Sequence, residues 1–179
     1  MGEEELIQGC IKGDREAQKL LYGKFSKQMY MVCLRYVKET QEAEDVLQES
    51  FIKVFNGIKN FRNESKLPYW IKRIVINTAL NAQRSKLYLY PMVDVDTMNE
   101  STDDIHISDF TMSELLEMIQ ELPSGCQVIF NLYAIEGYKH HEISKMLEIS
   151  EGTSKSQYAR AKHLLQNKVM KRNKSYGRN

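Results

Sequence analysis

A short stretch near the carboxyl end of the chain carries side chains suited to nucleic-acid binding. If residues 152–166 (GTSKSQYARAKHLLQ) form a helix, one face presents small, hydroxyl-bearing and cationic residues, namely Lys155, Ser156, Ala159, Arg160 and His163. Small residues let a helix approach a groove closely, while cations and hydroxyls reach phosphates and base edges. No acidic residue follows Glu151. This absence fits a surface that meets phosphates, because a carboxylate there would repel them.

The residues just before this stretch can hold it as the second helix of a helix-turn-helix. Ile143, Met146 and Leu147 recur at helical spacing and are expected to face a core. Ile149 would fill the turn, and Ser150 can accept the first free N–H groups of the second helix. The inward stripe of that helix is expected to contain Ser154, Tyr158, Ala161 and Leu165. An ordinary helical hairpin with a solvated face remains the alternative.

A second candidate nucleic-acid surface lies in the middle of the chain. Residues 60–86 carry a net charge of +5, and a helix from about Tyr69 to Lys86 would align one polar and aromatic stripe: Trp70, Arg73, Asn77, Asn81 and Arg84. Basic blocks neutralise phosphates and release counterions. Packing in the core is an equal alternative for Trp70, whereas the amide of Asn77 would gain little from burial.

A third candidate surface is acidic. On a helix that Thr40 can cap, the residues Asp45, Gln48, Glu49 and Ile52 share one face. The opposite face is expected to pack inward through Ala43, Val46, Leu47, Val54, Phe55 and Ile58. Acidic and polar groups around one aliphatic side chain suit docking on a basic partner protein. A plain solvated helix face is the alternative.

Composition restricts the class of protein. The chain has 179 residues and is 42% hydrophobic, which is typical of a folded protein. Its longest aliphatic run, residues 74–76, is far too short to span a membrane, and the acidic amino terminus lacks the features of a secretory signal. Three widely spaced cysteines, Cys10, Cys33 and Cys126, are typical of reduced core thiols. We therefore expect a cytoplasmic protein.

Helical spacing recurs along the chain, and no strand-like alternation is sustained. We expect an all-α protein with two small helical domains, residues 1–87 and residues 112–179, of which the second contains the helix-turn-helix. Residues 88–111 are expected to form a flexible acidic linker, because they lack a helical period and are rich in Asp, Ser and Thr. Charge follows the same division: residues 87–138 carry a net charge of −10 without any Lys or Arg, and residues 139–179 carry +7.

Some local expectations concern single residues. Asp14 is expected to cap the second helix, in which Leu20 is expected to face inward with Ala17, Leu21 and Phe25. The basic tail, residues 168–179, is expected to fray.

Three blocks, taken in order and spacing, resemble the extracytoplasmic-function (ECF) sigma factors of the sigma-70 family. Residues 42–55 (EAEDVLQESFIKVF) are similar to the family's region 2.2, residues 60–84 (NFRNESKLPYWIKRIVINTALNAQR) to regions 2.3 and 2.4, and residues 122–165 to region 4. The resemblance covers nearly the whole chain. It implies a bacterial transcription initiation factor that is not an enzyme, needs no cofactor, binds core RNA polymerase and directs it to promoters.

The resemblance also implies roles for particular residues. Asp45, Gln48, Glu49 and Ile52 would bind the clamp of the largest polymerase subunit, and the second domain would meet the β flap region. Phe61 and Asn77 match positions that line a pocket for a flipped base of the −10 non-template strand, within a surface completed by Arg62, Lys66, Trp70, Arg73, Asn81 and Arg84. Lys155, Ser156, Ala159 and Arg160 match positions that read the −35 duplex, with His163 on the same face and Thr153 placed to donate to a phosphate.

The chain departs from the family pattern at two positions. Many members have Gly where this chain has Glu148, which implies a turn that avoids positive φ or is strained. Many have a buried aliphatic residue where this chain has Ser154, which weakens the core unless the hydroxyl bonds back to its own helix. Family members are often held inactive by an anti-sigma factor, so the resemblance adds an anti-sigma factor to the candidate partners of this chain. No small-molecule substrate is implied.

Two other classes of function fit the sequence less well than a sigma factor does. A lone helix-turn-helix regulator with a sensing domain accounts for the carboxyl half but leaves the basic, aromatic residues 60–86 without a role. A metal- or nucleotide-dependent enzyme is disfavoured, because Lys145 stands where a zinc-binding H-E-x-x-H motif needs its second His. His140 and His141 are instead expected to be surface residues or phosphate contacts.

Overall fold

The computed structural model describes residues 2–89 and 111–175. Every regular element in these two ranges is a helix, which confirms the expected all-α fold. Contacts divide the chain into two compact units, Met1–Gln83 and Arg84–Asn179. Each unit is described by itself. Nearly all of the predicted acidic linker, residues 90–110, lies outside the described residues.

The N-terminal unit is built from α1 (Glu3–Ile11), α2 (Arg15–Tyr36), α3 (Thr40–Gly57) and most of α4 (Leu67–Leu89), with a 3₁₀ turn at Ile58–Asn60; the boundary between the units falls within α4, after Gln83. Helix α4 ends three residues beyond the expected Lys86. Large side chains from α2, the 3₁₀ turn and α4 fill the core, including Leu21, Met29, Tyr36, Ile58, Ile71 and Ile76, all nearly inaccessible to solvent. Burial of these groups supplies most of the driving force for packing the helices together.

Local details of this unit confirm some expectations and correct others. The carboxylate of Asp14 accepts a hydrogen bond from the N–H of Glu16 at 2.9 Å, so the cap of α2 is confirmed. Thr40 is wrong as a cap, because it is already the first residue of α3. Leu20 is also wrong as a core residue: it is 50% exposed, because it lies beside the line of Ala17, Leu21 and Phe25 that faces inward. Phe55 is only half-buried, whereas Phe51 is fully buried in its place.

The C-terminal unit contains α5 (Met112–Gln120), α6 (Ser124–Phe130), a π-helical turn (Asn131–Ile135), α7 (His140–Leu147) and α8 (Glu151–Ser175). Thr111 begins α5 with a capping box, since its hydroxyl accepts from the N–H of Glu114 while the Glu114 carboxylate accepts from the N–H of Thr111. Residues from α5, α6 and α8 and the turn after α5 form one hydrophobic core: Met118, Ile119, Leu122, Cys126, Phe130, Ala161 and Leu165.

The expectation that the tail, residues 168–179, frays is wrong for residues 168–175, because α8 continues to Ser175; residues 176–179 lie outside the described residues. Lys168 pairs with Glu121, and Arg172 pairs with Glu117 at 2.9 Å. Between them, Val169 packs on the hydrophobic core. These contacts with the α5 segment hold the last turns of α8 in place.

All three cysteines are buried and free, which confirms the expectation of core thiols. Burial raises the pKa of the Cys33 thiol to about 12. A thiol with so high a pKa is almost never a thiolate at neutral pH and is therefore inert. Among the helices within residues 2–89 and 111–175, none combines the length and hydropathy needed to cross a membrane.

Candidate polymerase and nucleic-acid interfaces

The acidic surface of α3 is placed as the sequence predicted. Asp45, Gln48, Glu49 and Ile52 are all exposed, while Ala43, Val46, Leu47 and Val54 on the opposite side are buried. Ile52 is 60% exposed, which is unusual for a large aliphatic side chain on a helix that buries its other aliphatic residues. The surface therefore offers an apolar anchor surrounded by carboxylates and an amide.

Lys53 connects this surface to α4. Its ammonium group lies 2.6 Å from the Glu49 carboxylate and donates to the hydroxyl of Thr78 at 3.3 Å. The Thr78 hydroxyl in turn donates to the backbone carbonyl of Ile74 at 2.9 Å. A second link joins the amide of Gln83 to the carboxylate of Glu42 at 3.1 Å. Helices α3 and α4 are thus held in register by polar contacts as well as by their shared core.

The outer face of α4 presents most of the predicted polar stripe. Arg73, Asn77, Asn81 and Arg84 are exposed, while Ile71, Val75 and Ala79 turn inward. Asn77 lies on the exposed face, one turn after Arg73 and one turn before Asn81. Its amide is therefore not packed in the core and can bind a polar ligand. The helix therefore separates an apolar face from a face that is polar and basic.

Phe61 and Trp70 lie together at the start of this face. Their ring centroids are 5.3 Å apart and their planes make an angle of 52°. Both residues are half-buried. The indole also lies against Gly57 at the end of α3, where a Cβ would stand 3.6 Å from its Cζ2 atom. Trp70 thus serves as a packing residue on one side and leaves an aromatic surface on the other, so the two alternatives for this residue are compatible.

The loop before α4 brings further candidate contacts to the same end of the helix. Arg62 and Lys66 are exposed, and Asn63 adopts a left-handed conformation with φ of 56°. Tyr69 was not singled out from the sequence, yet it is 63% exposed in the first turn of α4. Its position directly after Pro68, at a helix start, was the signal that could have identified it. An exposed aromatic ring on a surface that also carries exposed cations suits base stacking.

The turn between α7 and α8 has a defined geometry. Glu148 ends α7 in the left-handed region with φ of 57°, so this turn does not avoid positive φ and is strained for a residue with a Cβ. The hydroxyl of Ser150 accepts from the N–H of Thr153 at 2.9 Å, which confirms Ser150 as the cap of α8. The Thr153 hydroxyl lies 2.9 Å from that same hydroxyl.

The predicted reading face of α8 is mostly accessible. Lys155, Arg160 and His163 are exposed, Ser156 and Ala159 are half-buried, and Thr153 is only 7% exposed. The hydroxyl of Thr153 serves the cap, so its side chain is the least accessible of the set. On the inner side, Ser154, Ala161 and Leu165 are buried, as expected, and Tyr158 is half-buried.

His140 is less exposed than the expectation of a surface residue implied. It is half-buried, its Nδ1 lies 2.9 Å from the hydroxyl of Ser154, and its ring stacks on Tyr133 with centroids 4.3 Å apart. Burial lowers the pKa of His140, and the nearby charge of Lys155 lowers it further. His141, by contrast, is exposed. In the parts of the chain that the structure describes, no three His, Cys, Asp or Glu residues are grouped so as to hold a metal ion.

Comparison with known proteins gives consistent results for both units. Residues 21–87 match Sigma-70 region 2, and residues 112–165 match Sigma-70, region 4. The chain is 28% identical to the RNA polymerase sigma-H factor of Pseudomonas aeruginosa over 176 residues, covering 91% of each. It is 27% identical to the ECF RNA polymerase sigma-E factor of Haemophilus influenzae over 180 residues, covering 93% of this chain and 95% of that protein.

Solved structures share the fold. The sigma factor RpoE of Bartonella quintana, in complex with the anti-sigma factor NepR, aligns with a TM-score of 0.54 at 17% identity, covering 85% of this chain and 96% of that one. CnrH in complex with the cytosolic domain of CnrY aligns with a TM-score of 0.50 at 16% identity, covering 92% of this chain and 94% of that one.

Proposed function

The chain belongs to the ECF group of the sigma-70 family and is a non-enzymatic factor that directs RNA polymerase in transcription initiation; from this premise, we propose that its two ends recognise different promoter elements. Residues 1–87 bind the polymerase and the −10 element. Residues 112–179 bind the −35 element and the β flap region, and residues 88–111 connect the two. The protein works in the bacterial cytoplasm, where polymerase and promoter meet.

The acidic surface of α3 docks on the clamp of the largest polymerase subunit. The exposed Ile52 would fill an apolar pocket on the partner, and Asp45 and Glu49 would pair with its basic side chains. Lys53 already neutralises Glu49 in the free protein, so a basic partner has to compete with it for that carboxylate. Both groups are exposed, and pairs of this kind contribute only about 0–1 kcal/mol, so the exchange costs little.

The α4 surface binds the −10 element as a single strand. Phe61, Trp70 and Tyr69 supply aromatic surface, and Asn77 lies one helical turn beyond Arg73 and two turns beyond Trp70. Unstacking a base costs a few kcal/mol, and stacking on an aromatic side chain returns roughly 1–3 kcal/mol per base. A protein that binds unpaired bases better than paired ones shifts the equilibrium toward open DNA without hydrolysis. The cations Arg62, Lys66, Lys72, Arg73 and Arg84 would hold the backbone.

The −35 element is read as duplex by α8. One observation carries this part: the helix buries Ser154, Ala161 and Leu165 fully while it exposes Lys155 and Arg160 on the other side. A helix with one buried face and one cationic face that carries no acid after Glu151 can enter the major groove. Because Thr153 is buried in the cap, the free backbone N–H groups at this helix start are better placed than its hydroxyl to meet a phosphate.

An anti-sigma factor is a further proposed partner. RpoE of Bartonella quintana was solved with the anti-sigma factor NepR, and its fold is shared by this chain. The surfaces that bind polymerase and DNA are exposed, so a protein that covers them would hold this factor inactive.

The experiment measures the two DNA elements separately, with holoenzyme assembled from the full chain and purified core polymerase. Arg160→Ala should weaken binding of a −35 duplex by about 1–3 kcal/mol and leave a −10 single strand bound as before. Asn77→Ala should do the reverse. The matched controls are Lys145→Ala and Asn56→Ala, which remove an exposed cation and an exposed amide elsewhere.

The proposal fails if Arg160→Ala leaves −35 affinity unchanged or if both variants weaken the two DNA probes equally. The same assay without polymerase addresses the alternative of a lone regulator. Such a regulator would bind its duplex tightly alone, whereas this chain should bind promoters poorly until core polymerase is added.

A further inference from the structure

The buried hydroxyl of Ser154 has a partner outside its own helix. Ser154 is fully buried on the inner side of α8, and its Oγ lies 2.9 Å from Nδ1 of His140, the first residue of α7. A hydroxyl buried without a hydrogen-bond partner destabilises a fold. The contact therefore accounts for a polar residue in the apolar stripe of α8, and the expected bond from Ser154 back to its own helix is not needed.

The imidazole contacts two tyrosine rings. Its ring is stacked on Tyr133 at 4.3 Å with an angle of 15° between planes, and it meets Tyr158 edge-on at 5.9 Å and 61°. The rings of Tyr133 and Tyr158 also contact each other at 4.5 Å. These contacts hold the plane of the imidazole, and the hydroxyl of Ser154 favours the ring flip that places Nδ1 beside it.

This hydrogen bond acts on the part of α8 that matters for DNA. Ser154 lies next to Lys155 and Ser156, which are on the proposed reading face, and one turn before Tyr158. The cap by Ser150 fixes where α8 begins, but the contact from His140 fixes how its first turn is rotated toward α7. Ser154 lies on the buried side of α8, and His140 belongs to α7, so neither side chain is part of the exposed face of α8.

We propose that His140 is a positioning residue for DNA reading: through Ser154 it holds the first turn of α8 so that Lys155 and Ser156 meet the −35 duplex. This inference rests on the proposed function of α8. The affinity for the −35 duplex then depends on His140 and Ser154, although neither side chain touches DNA.

The surrounding charges favour a neutral imidazole. Burial and the ammonium group of Lys155 lower the pKa of His140, while Glu151 opposes them weakly. At the start of α7, the Glu142 carboxylate accepts a hydrogen bond from the N–H of Lys139 at 2.8 Å. A neutral ring can accept the hydroxyl proton of Ser154 at Nδ1 or donate to its oxygen.

The test is a double-mutant cycle on −35 duplex affinity, measured with holoenzyme at a temperature where thermal melting shows every variant folded. His140→Phe keeps an aromatic ring for stacking but loses the hydrogen bond, and Ser154→Ala loses the hydroxyl. Each should weaken binding by about threefold to tenfold, and the double variant should be no weaker than the weaker single one. Ser144→Ala is the matched control, because its hydroxyl bonds only within α7, to the carbonyl of His141 at 2.9 Å, and it should change affinity by less than about twofold.

Rescue separates positioning from general packing. His140→Asn places a nitrogen or oxygen near the position of Nδ1 but loses the stack, and it should bind the duplex more tightly than His140→Phe although it packs less well. Independent effects, in which the two single losses multiply in the double variant, would overturn the inference, as would unchanged affinity in His140→Phe. Arg160→Ala in the same assay shows which of the two proposals fails. If Arg160→Ala weakens binding and His140→Phe does not, the positioning role of His140 is wrong and the reading face of α8 stands. If neither variant weakens binding, the reading face itself is wrong.

Discussion

Single residues on the exposed face of α3 allow the docking surface to be tested without disturbing the fold. Asp45 is exposed and makes no part of the core. Asp45→Arg should therefore leave thermal unfolding within about 0.5 kcal/mol of the native protein yet lower core polymerase binding at least about tenfold, because like charges facing each other across an interface cost several kcal/mol. A pull-down with purified core polymerase measures this.

Glu16→Arg is the control, since it makes the same charge change at an exposed position on α2. It should bind the polymerase nearly as well as the native chain. If Asp45→Arg retained the polymerase as well as Glu16→Arg does, the acidic surface of α3 would not be the docking surface.

His140 gives a prediction about pH. Its pKa is lowered in the folded protein from an ordinary value of 6.5. Below about pH 6.5 the unfolded chain binds a proton at this imidazole more readily than the folded chain does. The contribution of His140 to the stability of the fold is therefore complete above about pH 6.5 and is lost as the pH falls further. The melting temperature of the native chain should thus fall relative to that of His140→Phe when the pH is lowered from about 7.5 to 5.5. Parallel melting curves for the two proteins across this range would contradict the prediction.

The sequence predicted the residues that make up each surface better than it predicted their contacts. Helical spacing places Asp45, Ile52, Arg73 and Arg160 on outer faces, because each lies opposite a run of apolar residues with the period of an α-helix. The same argument could not place His140, because its burial depends on Tyr133 and Tyr158, which reach it from other elements. Contacts of this kind appear only when the helices are packed.

At the scale of elements, the turn between α7 and α8 carries strain that can be relieved. Glu148 has φ of 57°, a conformation that glycine adopts at no steric cost. Glu148→Gly should raise the stability of the C-terminal unit by up to about 1 kcal/mol, after the larger chain entropy of glycine in the unfolded state is subtracted. Thermal or urea unfolding measures the change.

The opposite substitution elsewhere serves as a control. Gly137 has φ of 81° just after the π-helical turn, and Gly137→Ala should destabilise the unit by about 1 kcal/mol or more. A loss of stability in Glu148→Gly would mean that the side chain of Glu148 contributes more than its backbone strain costs.

Elements were predicted well where a repeated apolar pattern specified them, and less well at their ends. The expected helices all exist, but α8 runs through the tail that was expected to fray. Apart from Val169 and Met170, the tail is polar and basic, so the sequence alone showed no reason for order. The reason lies in Glu117 and Glu121, about fifty residues earlier, which pair with Arg172 and Lys168. A long-range contact of this sort leaves no local signal.

For the whole molecule, the charge distribution was the most informative sequence feature. Two basic segments are separated by residues 87–138, which carry no Lys or Arg. Within the described parts, one basic segment forms the loop before α4 and the outer face of α4, and the other includes the outer face of α8. Family membership explains why a single short chain has two such faces, because region 2 and region 4 each match one of them.

The central claim is that this chain gives core polymerase its promoter choice, and transcription in a purified system tests it most directly. Core polymerase would be incubated with a promoter library, with and without the chain, and the transcript start sites sequenced. The account predicts start sites that appear only when the chain is added, share one −35 and one −10 sequence, and largely disappear with Asp45→Arg. Start sites that are the same in the absence of the chain would contradict it.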